Sequence, residues 1–201
     1  MAFTEQDVEL IQRDILYQGV FCLARYHIRY RLFDGGMSEI VKREVLERFS
    51  ATAVLPYDPI RDEVVLIEQF RPGCIRDPKQ AWLIEIPAGV LHANQSPETV
   101  AISEADEEAG CKVTDLIPVS DFFVSPGGSN EYMHLYCGKV DAKNISGIHG
   151  LKHEHEDIRA FTLSAEKAFD LLDKNQIKTV PAMVTLWWLK VHRERLRKKW
   201  E

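Results

Sequence analysis

The chain has 201 residues, of which 45% are hydrophobic and 28% charged, which is enough to bury a full-sized core and excludes a disordered tail or a mini-protein. Its 25 basic and 31 acidic residues leave a formal net charge of -6, which disfavours a nucleic-acid partner. The four cysteines show no C-x-x-C spacing, and neither a signal-peptide pattern nor a membrane span of ~18 apolar residues is present. We therefore expect a cytoplasmic protein with free, buried thiols and no membrane partner.

The first predicted element is a small antiparallel β domain in residues 1–48. Residues 18–33 are rich in Phe, Tyr, Ile and Leu, Asp34-Gly35-Gly36 is typical of a hairpin turn, and residues 37–47 alternate between apolar and polar. A sheet of ~45 residues has too little apolar face to stand alone. We expect it to pack on the rest of the chain or on a second copy, and we favour a homodimer.

The second predicted domain, residues 49–201, combines strands with helices. Turn residues separate six strand-like runs, at 53–57, 63–70, 82–86, 116–124, 132–140 and 158–163. Ser96 as N-cap, Pro97 at the first helical position and Gly110 just past the end predict a helix at 97–109. Two further helices are predicted after Ser164 and Thr179, at about 165–174 and 180–200. The pattern predicts an α+β fold with helices on the faces of a mixed sheet.

The helix at 97–109 carries three carboxylates on one face. Glu104, Glu107 and Glu108 fall within one turn of each other, and a stripe of alanines beside them lets the helix lie close to a sheet. Like charges at this spacing destabilise a helix, so the cluster favours a site for a hard divalent cation such as Mg²⁺. A solvated acidic surface is the alternative.

A strand that ends in Glu85-Ile86-Pro87-Ala88-Gly89-Val90 precedes this helix, and Gly89 would let a ligand approach the backbone closely. From Gly89 to Cys111 the sequence resembles the 23-residue signature of the Nudix hydrolases. Five of its seven fixed positions match, at Gly89, Glu104, Glu107, Glu108 and Gly110. The resemblance implies a Nudix α/β/α sandwich with a mixed sheet.

Two positions depart from the signature. Gln95 stands where the family has Glu, which keeps hydrogen-bonding reach but removes a charge. Ser103 stands where the family has Arg, so the i, i+4 ion pair to Glu107 is absent. Glu107 must therefore be held by another cation, by hydrogen bonds, or be less well oriented.

Further segments are similar to the bacterial ADP-ribose pyrophosphatases of this family. They are Leu66-Ile67-Glu68-Gln69-Phe70-Arg71, Trp82 to Gly89, Ser125 to Glu131 and Ser146 to Leu151. The resemblance implies Mg²⁺-dependent hydrolysis of ADP-ribose to AMP and ribose 5-phosphate, with Mn²⁺ as an alternative ion. It also implies a homodimer in which the N-terminal domains exchange.

The resemblance assigns roles to particular residues. The metal ligands are the Ala88 carbonyl, Glu104, Glu107 and Glu108, and Glu154 in the charged loop after Gly150 is the base that activates water, with Glu156 as its alternative. The substrate contacts are Arg71 and Gly89 near the diphosphate, Glu131 at the ribose side, and Arg43, which reaches the site of the other subunit.

Three alternatives stay open at this point. The metal-binding helix recognises the diphosphate and only the surrounding loops recognise the two ends of the substrate, so another nucleoside diphosphate sugar such as GDP-mannose is a candidate. A Nudix-fold binding protein, weakened in catalysis by Ser103 and Gln95, is a second. The basic, tryptophan-containing last helix is typical of an RNA or membrane surface, but we favour a structural role with its tryptophans as core anchors.

Overall fold

The computed structural model describes residues 3–200, which form two compact units: residues 3–49 with Phe123–Tyr132, and Ser50–Phe122 with 133–200. The first unit contains an antiparallel sheet of three strands in the order β1 (Val8–Gln18), β2 (Cys22–Tyr30) and β3 (Val41–Glu47). Gly35 and Gly36 in the turn after β2 have positive φ angles of 99° and 76°, as the hairpin motif predicts. The segment Phe123–Tyr132 joins this unit through the Leu46 N–H, which donates to the Gly128 carbonyl at 2.8 Å.

The second unit is built on a mixed sheet. Its strand order is β10-β11-β5-β4-β9-β8, with β6 on β5 and β7 on β4. Strand β4 pairs in parallel with β9 and antiparallel with β7. The bounds are β4 (Ala51–Asp58), β5 (Glu63–Phe70), β6 (Trp82–Glu85), β7 (Ala88–Val90), β8 (Asp115–Phe123), β9 (Tyr132–Lys139), β10 (Gly147–His149) and β11 (Ile158–Ser164).

Three helices cover the two faces of this sheet: α1 (Pro97–Ala109), α2 (Ala165–Asp173) and α3 (Val180–Trp200). Side chains alternate along β4, so Val54 packs in the core beneath α1, whereas Leu55 packs in the core with α2 and α3. The structure therefore confirms the α/β/α sandwich. No helix among residues 3–200 combines the length and apolar character that crossing a membrane requires.

The predicted end signals of α1 are confirmed. The Ser96 hydroxyl accepts a hydrogen bond from the Thr99 N–H at 3.2 Å, and Gly110 adopts the left-handed conformation with φ of 62°. The small side chains Ala101, Ala105 and Ala109 are all 0% exposed, so α1 lies directly on the sheet.

Several details differ from the sequence analysis. Strands β1, β7 and β10 were not predicted, because β1 interleaves charged residues with apolar ones and the other two are three residues long. Of the α3 tryptophans Trp200 is buried, but Trp187 is 48% exposed, so the assignment of Trp187 as a core anchor is wrong. Cys74 is only partly buried, unlike the other three free cysteines, because it ends a short 3₁₀ turn at the surface.

Candidate functional site

Gly89 lies directly against the first acidic residue of α1. A Cβ atom at position 89 would stand 1.8 Å from Glu104 Oε1 and 2.3 Å from Glu104 Cδ. Strand β7 is paired through Gly89 with Thr52 on β4, so the backbone is fixed here by the sheet. Only glycine therefore lets the Glu104 carboxylate approach the strand this closely.

Glu108 is buried at 3% exposure on the face of α1 that meets the sheet. Its Oε2 accepts a hydrogen bond from the Ala88 N–H at 2.8 Å. Burial raises the pKa of Glu108 to about 8, and the Ala88 hydrogen bond and the charge of Arg71 oppose that rise only in part. The carboxylate is thus held between the helix and the backbone of β7.

Glu104 is half-buried and faces several other carboxylates. Burial raises its pKa to about 7, and the charges of Glu107, Glu156 and Glu154 raise the pKa further in the same direction. Acidic groups from α1 and from the loop that follows β10 therefore converge on one region of the second unit. Such a convergence is unfavourable unless a cation accompanies it.

These residues fit a hard divalent cation by the chemistry of their donors. Carboxylate and carbonyl oxygens are the ligands that Mg²⁺ prefers, and the buried negative charge of Glu104 and Glu108 would be offset by the ion. Among residues 3–200 no three acidic, histidine or cysteine side chains already form a metal-binding group. A magnesium site does not need three such side chains in contact, because a backbone carbonyl, here that of Ala88, and water molecules supply other ligands.

The departure at position 103 has a structural answer. The Ser103 hydroxyl donates a hydrogen bond to Glu107 Oε1 at 2.6 Å, across one turn of α1. Of the possibilities open from the sequence, Glu107 is therefore held by a hydrogen bond. Gln95, the other departure, accepts a hydrogen bond from the His92 N–H at 2.9 Å through Oε1 and so closes the loop before α1.

The loop after β10 is joined to α1, since the Gly150 N–H donates to the Glu107 carbonyl at 3.1 Å. Glu154 ends a short 3₁₀ turn with an exposed side chain, 3.5 Å from His153 Nε2. Glu156 is partly buried, and its Oε2 accepts a hydrogen bond from the Leu151 N–H at 2.9 Å. One oxygen of Glu156 is thus occupied in shaping the loop, whereas the Glu154 carboxylate accepts no hydrogen bond from residues 3–200.

Arg71 follows β5 and lies on the same side of the second unit as the acidic helix. Its Nε donates to Glu85 Oε2 at 2.8 Å, and its charge lowers the pKa of Glu108. The sequence analysis assigned no role to Glu85, although a carboxylate at the end of the otherwise apolar strand Trp82–Glu85 was a usable signal. The structure therefore brings together Arg71, Ala88, Gly89, Glu104, Glu107, Glu108 and Glu154.

Arg43 and Glu131, the other two predicted substrate contacts, belong to the first unit. The Arg43 side chain is exposed, and its Nη1 donates to the Lys42 carbonyl at 2.9 Å. Glu131 is mostly buried and pairs with Arg48 Nη1 at 2.9 Å. The Arg48 guanidinium also lies over the Phe21 ring at 4.7 Å, and Arg48 was not singled out from the sequence.

Comparison with known proteins agrees with this site. The NUDIX domain model matches residues 47–183. The chain is 44% identical over 200 residues to the ADP-ribose pyrophosphatase of Escherichia coli K12, covering all of this chain and 96% of that protein. It is 38% identical to the ADP-ribose pyrophosphatase of Haemophilus influenzae (99% and 93% covered) and 30% identical to a GDP-mannose pyrophosphatase of Enterobacter sp. strain 638 (92% and 95% covered).

A crystal structure described as an ADP compounds hydrolase superposes with a TM-score of 0.70 at 16% identity, covering 99% of both chains, which shows a shared fold. The family match covers more than half of the chain, and the signature helix has the expected place on the sheet. The chain belongs to the Nudix hydrolase family.

Proposed function

We propose that this protein hydrolyses the diphosphate of ADP-ribose to AMP and ribose 5-phosphate. The observation that carries the proposal is the burial of Glu104 and Glu108 against the backbone of Ala88 and Gly89, where a bound cation would keep both carboxylates ionised at neutral pH. The 44% identity to an ADP-ribose pyrophosphatase over the whole chain supports the choice of substrate.

The residues that would hold Mg²⁺, or Mn²⁺ in its place, are the Ala88 carbonyl, Glu104, Glu107 and Glu108. A bound divalent ion supplies positive charge that offsets the diphosphate and makes an attacking water more acidic. Glu107 takes part through the carboxylate that Ser103 orients. Glu108 takes part through the oxygen that the Ala88 N–H leaves available.

The side chains of this chain have separate tasks in the reaction. Arg71 binds oxygens of the diphosphate, and the Gly89 backbone contacts the substrate at the end of the strand. Glu154 accepts a proton from water as the water oxygen bonds to phosphorus. The bond between that phosphorus and the bridging oxygen breaks, so one phosphate stays on the adenosine and the other on the ribose.

We assign Glu154 rather than Glu156 as the base because Glu156 already accepts the Leu151 N–H. The charge of Glu156 raises the pKa of Glu104 more than the charge of Glu154 does. Glu156 is therefore the alternative base, and its variant is the one to compare with the Glu154 variant. Arg43 and Glu131 are proposed contacts to the substrate, Glu131 at its ribose side.

The protein is proposed to act as a cytoplasmic homodimer with exchanged N-terminal units, in which Arg43 serves the site of the other subunit. Large apolar side chains of β1 are exposed in the single chain and support a covering second copy; they are Val8, Leu10, Ile11, Ile15, Leu16 and Tyr17.

GDP-mannose is the second candidate substrate, because GDP-mannose pyrophosphatases are among the relatives at 30% identity. A panel of ADP-ribose, GDP-mannose and other nucleoside diphosphate sugars at fixed Mg²⁺ separates the two. We expect the highest kcat/KM with ADP-ribose and no turnover in EDTA. Binding of ADP-ribose without any cleavage in Mg²⁺ would instead identify a binding protein.

A further inference from the structure

Gln69, Arg71 and Glu85 form a polar cluster beside the carboxylates of α1. Glu85 is 9% and Gln69 8% exposed, and Glu85 accepts the hydrogen bond from Arg71 Nε at 2.8 Å. A buried carboxylate is costly unless it is paired, and the sequence offers no structural reason for one at the end of β6.

The strand register fixes where this cluster lies. Glu85 is directly opposite Ile67, and the Arg71 N–H extends the ladder by donating to the Ala81 carbonyl at 2.7 Å. Side chains two residues apart on a strand share a face, so Ile67, Gln69 and Arg71 project to the same side. Ile67 packs in the core beneath α1. The cluster thus occupies the face of the sheet that carries the acidic helix.

The guanidinium of Arg71 is held from one side only. Its Nε is bonded to Glu85, whereas Nη1 and Nη2 donate no hydrogen bond to any residue between 3 and 200, and the side chain is 42% exposed. The remaining N–H groups of such a fork match the oxygens of a phosphate. Glu85 is three residues before Ala88, whose N–H donates to Glu108. One short chain segment therefore contacts both Arg71 and the acidic helix.

We propose that Glu85 is a positioning residue, whose buried carboxylate fixes the Arg71 guanidinium so that its two terminal amino groups face the substrate diphosphate. The inference rests on the proposed function, since it needs a diphosphate at Arg71. It adds a residue that does not touch the substrate itself.

The test is a double-mutant cycle on the affinity for ADP-ribose in EDTA, where binding is measured without turnover. Glu85→Gln keeps an oxygen that can accept from Arg71 but removes its negative charge, so we expect the weaker hold on the guanidinium to reduce binding about tenfold. Arg71→Ala should weaken binding at least as much, and Glu85→Gln should add nothing in the Arg71→Ala background. With Mg²⁺, Glu85→Gln should raise KM by a similar factor and change kcat by less than about threefold.

Two controls separate positioning from a general structural effect. Glu68, on the same strand β5 as Gln69, accepts a hydrogen bond from Arg159 Nε at 2.9 Å through Oε2. Glu68→Gln removes that carboxylate and should leave the affinity for ADP-ribose and the KM unchanged. Adenosine, which has no phosphate, should bind equally to all variants. If Glu85→Gln does not fold, Glu85→Asp, which withdraws the carboxylate by one methylene, must show the same cycle.

The inference would be overturned if the two losses of ADP-ribose affinity added in the double variant, or if Glu85→Gln bound ADP-ribose as tightly as the wild type. Hydrolysis of ADP-ribose by the wild type would in that case still support the proposed function. A wild-type protein that neither binds nor cleaves ADP-ribose would overturn both.

Discussion

Gly89→Ala is the substitution whose effect the structure determines most closely. The new Cβ would lie 1.8 Å from Glu104 Oε1, and ordinary contact begins near 3.4 Å, so the carboxylate would have to retreat by about 1.6 Å. Glu104 Cγ would also lie only 2.6 Å away, so the flexible, half-buried side chain would have to change rotamer while the strand and the helix stay in place. We expect a loss of at most about 1–2 kcal/mol in the free energy of unfolding.

Catalysis should suffer far more than stability. Moving a catalytic group by about 1 Å can cost about a hundredfold in rate, so kcat/KM for ADP-ribose should fall by at least that factor. The assay is turnover in Mg²⁺, measured as the phosphate that alkaline phosphatase releases from the products AMP and ribose 5-phosphate, with urea unfolding of the same protein. Gly73→Ala is the control, because its Cβ would meet no atom within 4 Å. Full turnover in Gly89→Ala would show that the position of Glu104 does not matter to the reaction.

Three further predictions address the helix, the loop and the fold. Ser103→Ala removes the hydrogen bond to Glu107 and should lower kcat about three- to tenfold, whereas a large gain with Ser103→Arg would favour a catalytically weakened protein. Glu154→Gln should lower kcat about a hundredfold and Glu156→Gln much less; the reverse order would move the base to Glu156. Asp58→Ala should destabilise by about 2–4 kcal/mol in urea, because buried Asp58 accepts three backbone N–H groups and Arg61; a loss below about 1 kcal/mol would contradict this.

Asp58 also predicts how stability depends on pH. Burial raises its pKa, but the hydrogen bonds from Arg61, Ala142 and Ile60 outweigh burial and hold the pKa below 3.8. A depressed folded-state pKa contributes stability above the unfolded value that is lost as pH falls through the folded value. As the pH is lowered below about 4, the melting temperature of the wild type should therefore decrease more steeply than that of Asp58→Asn. Parallel curves of melting temperature against pH would contradict the assignment.

The sequence predicted the parts of the fold that local chemistry controls. Ser96, Pro97 and Gly110 marked α1 to the residue, because caps and left-handed glycines act within one turn of the chain. Strand β1 was not predicted from the sequence, because its residues are almost all exposed and no buried face imposes an alternating pattern. The exposure of Trp187 could not be predicted from the sequence either, because α2 and the sheet determine the face of α3 that is covered.

The candidate site divides in the same way. The spacing of Glu104 and Glu108 placed both on one face of a helix, and Gly89 marked the strand they approach. The hydrogen bond from Ser103 replaced an ion pair that the signature would supply, and its formation depends on a side-chain rotamer that spacing does not reveal. The pairing of Arg71 with Glu85 joins two strands across 14 residues, so only the sheet register shows it.

The central claim is that the carboxylates of α1 bind a divalent cation that catalysis requires. The most direct measurement is Mn²⁺ binding by electron paramagnetic resonance to the wild type and to Glu108→Gln, with ADP-ribose turnover measured on the same samples. We predict tight Mn²⁺ binding in the wild type, with a loss in Glu108→Gln that is matched by at least about a hundredfold lower turnover. Unchanged Mn²⁺ affinity and turnover in Glu108→Gln would contradict the account.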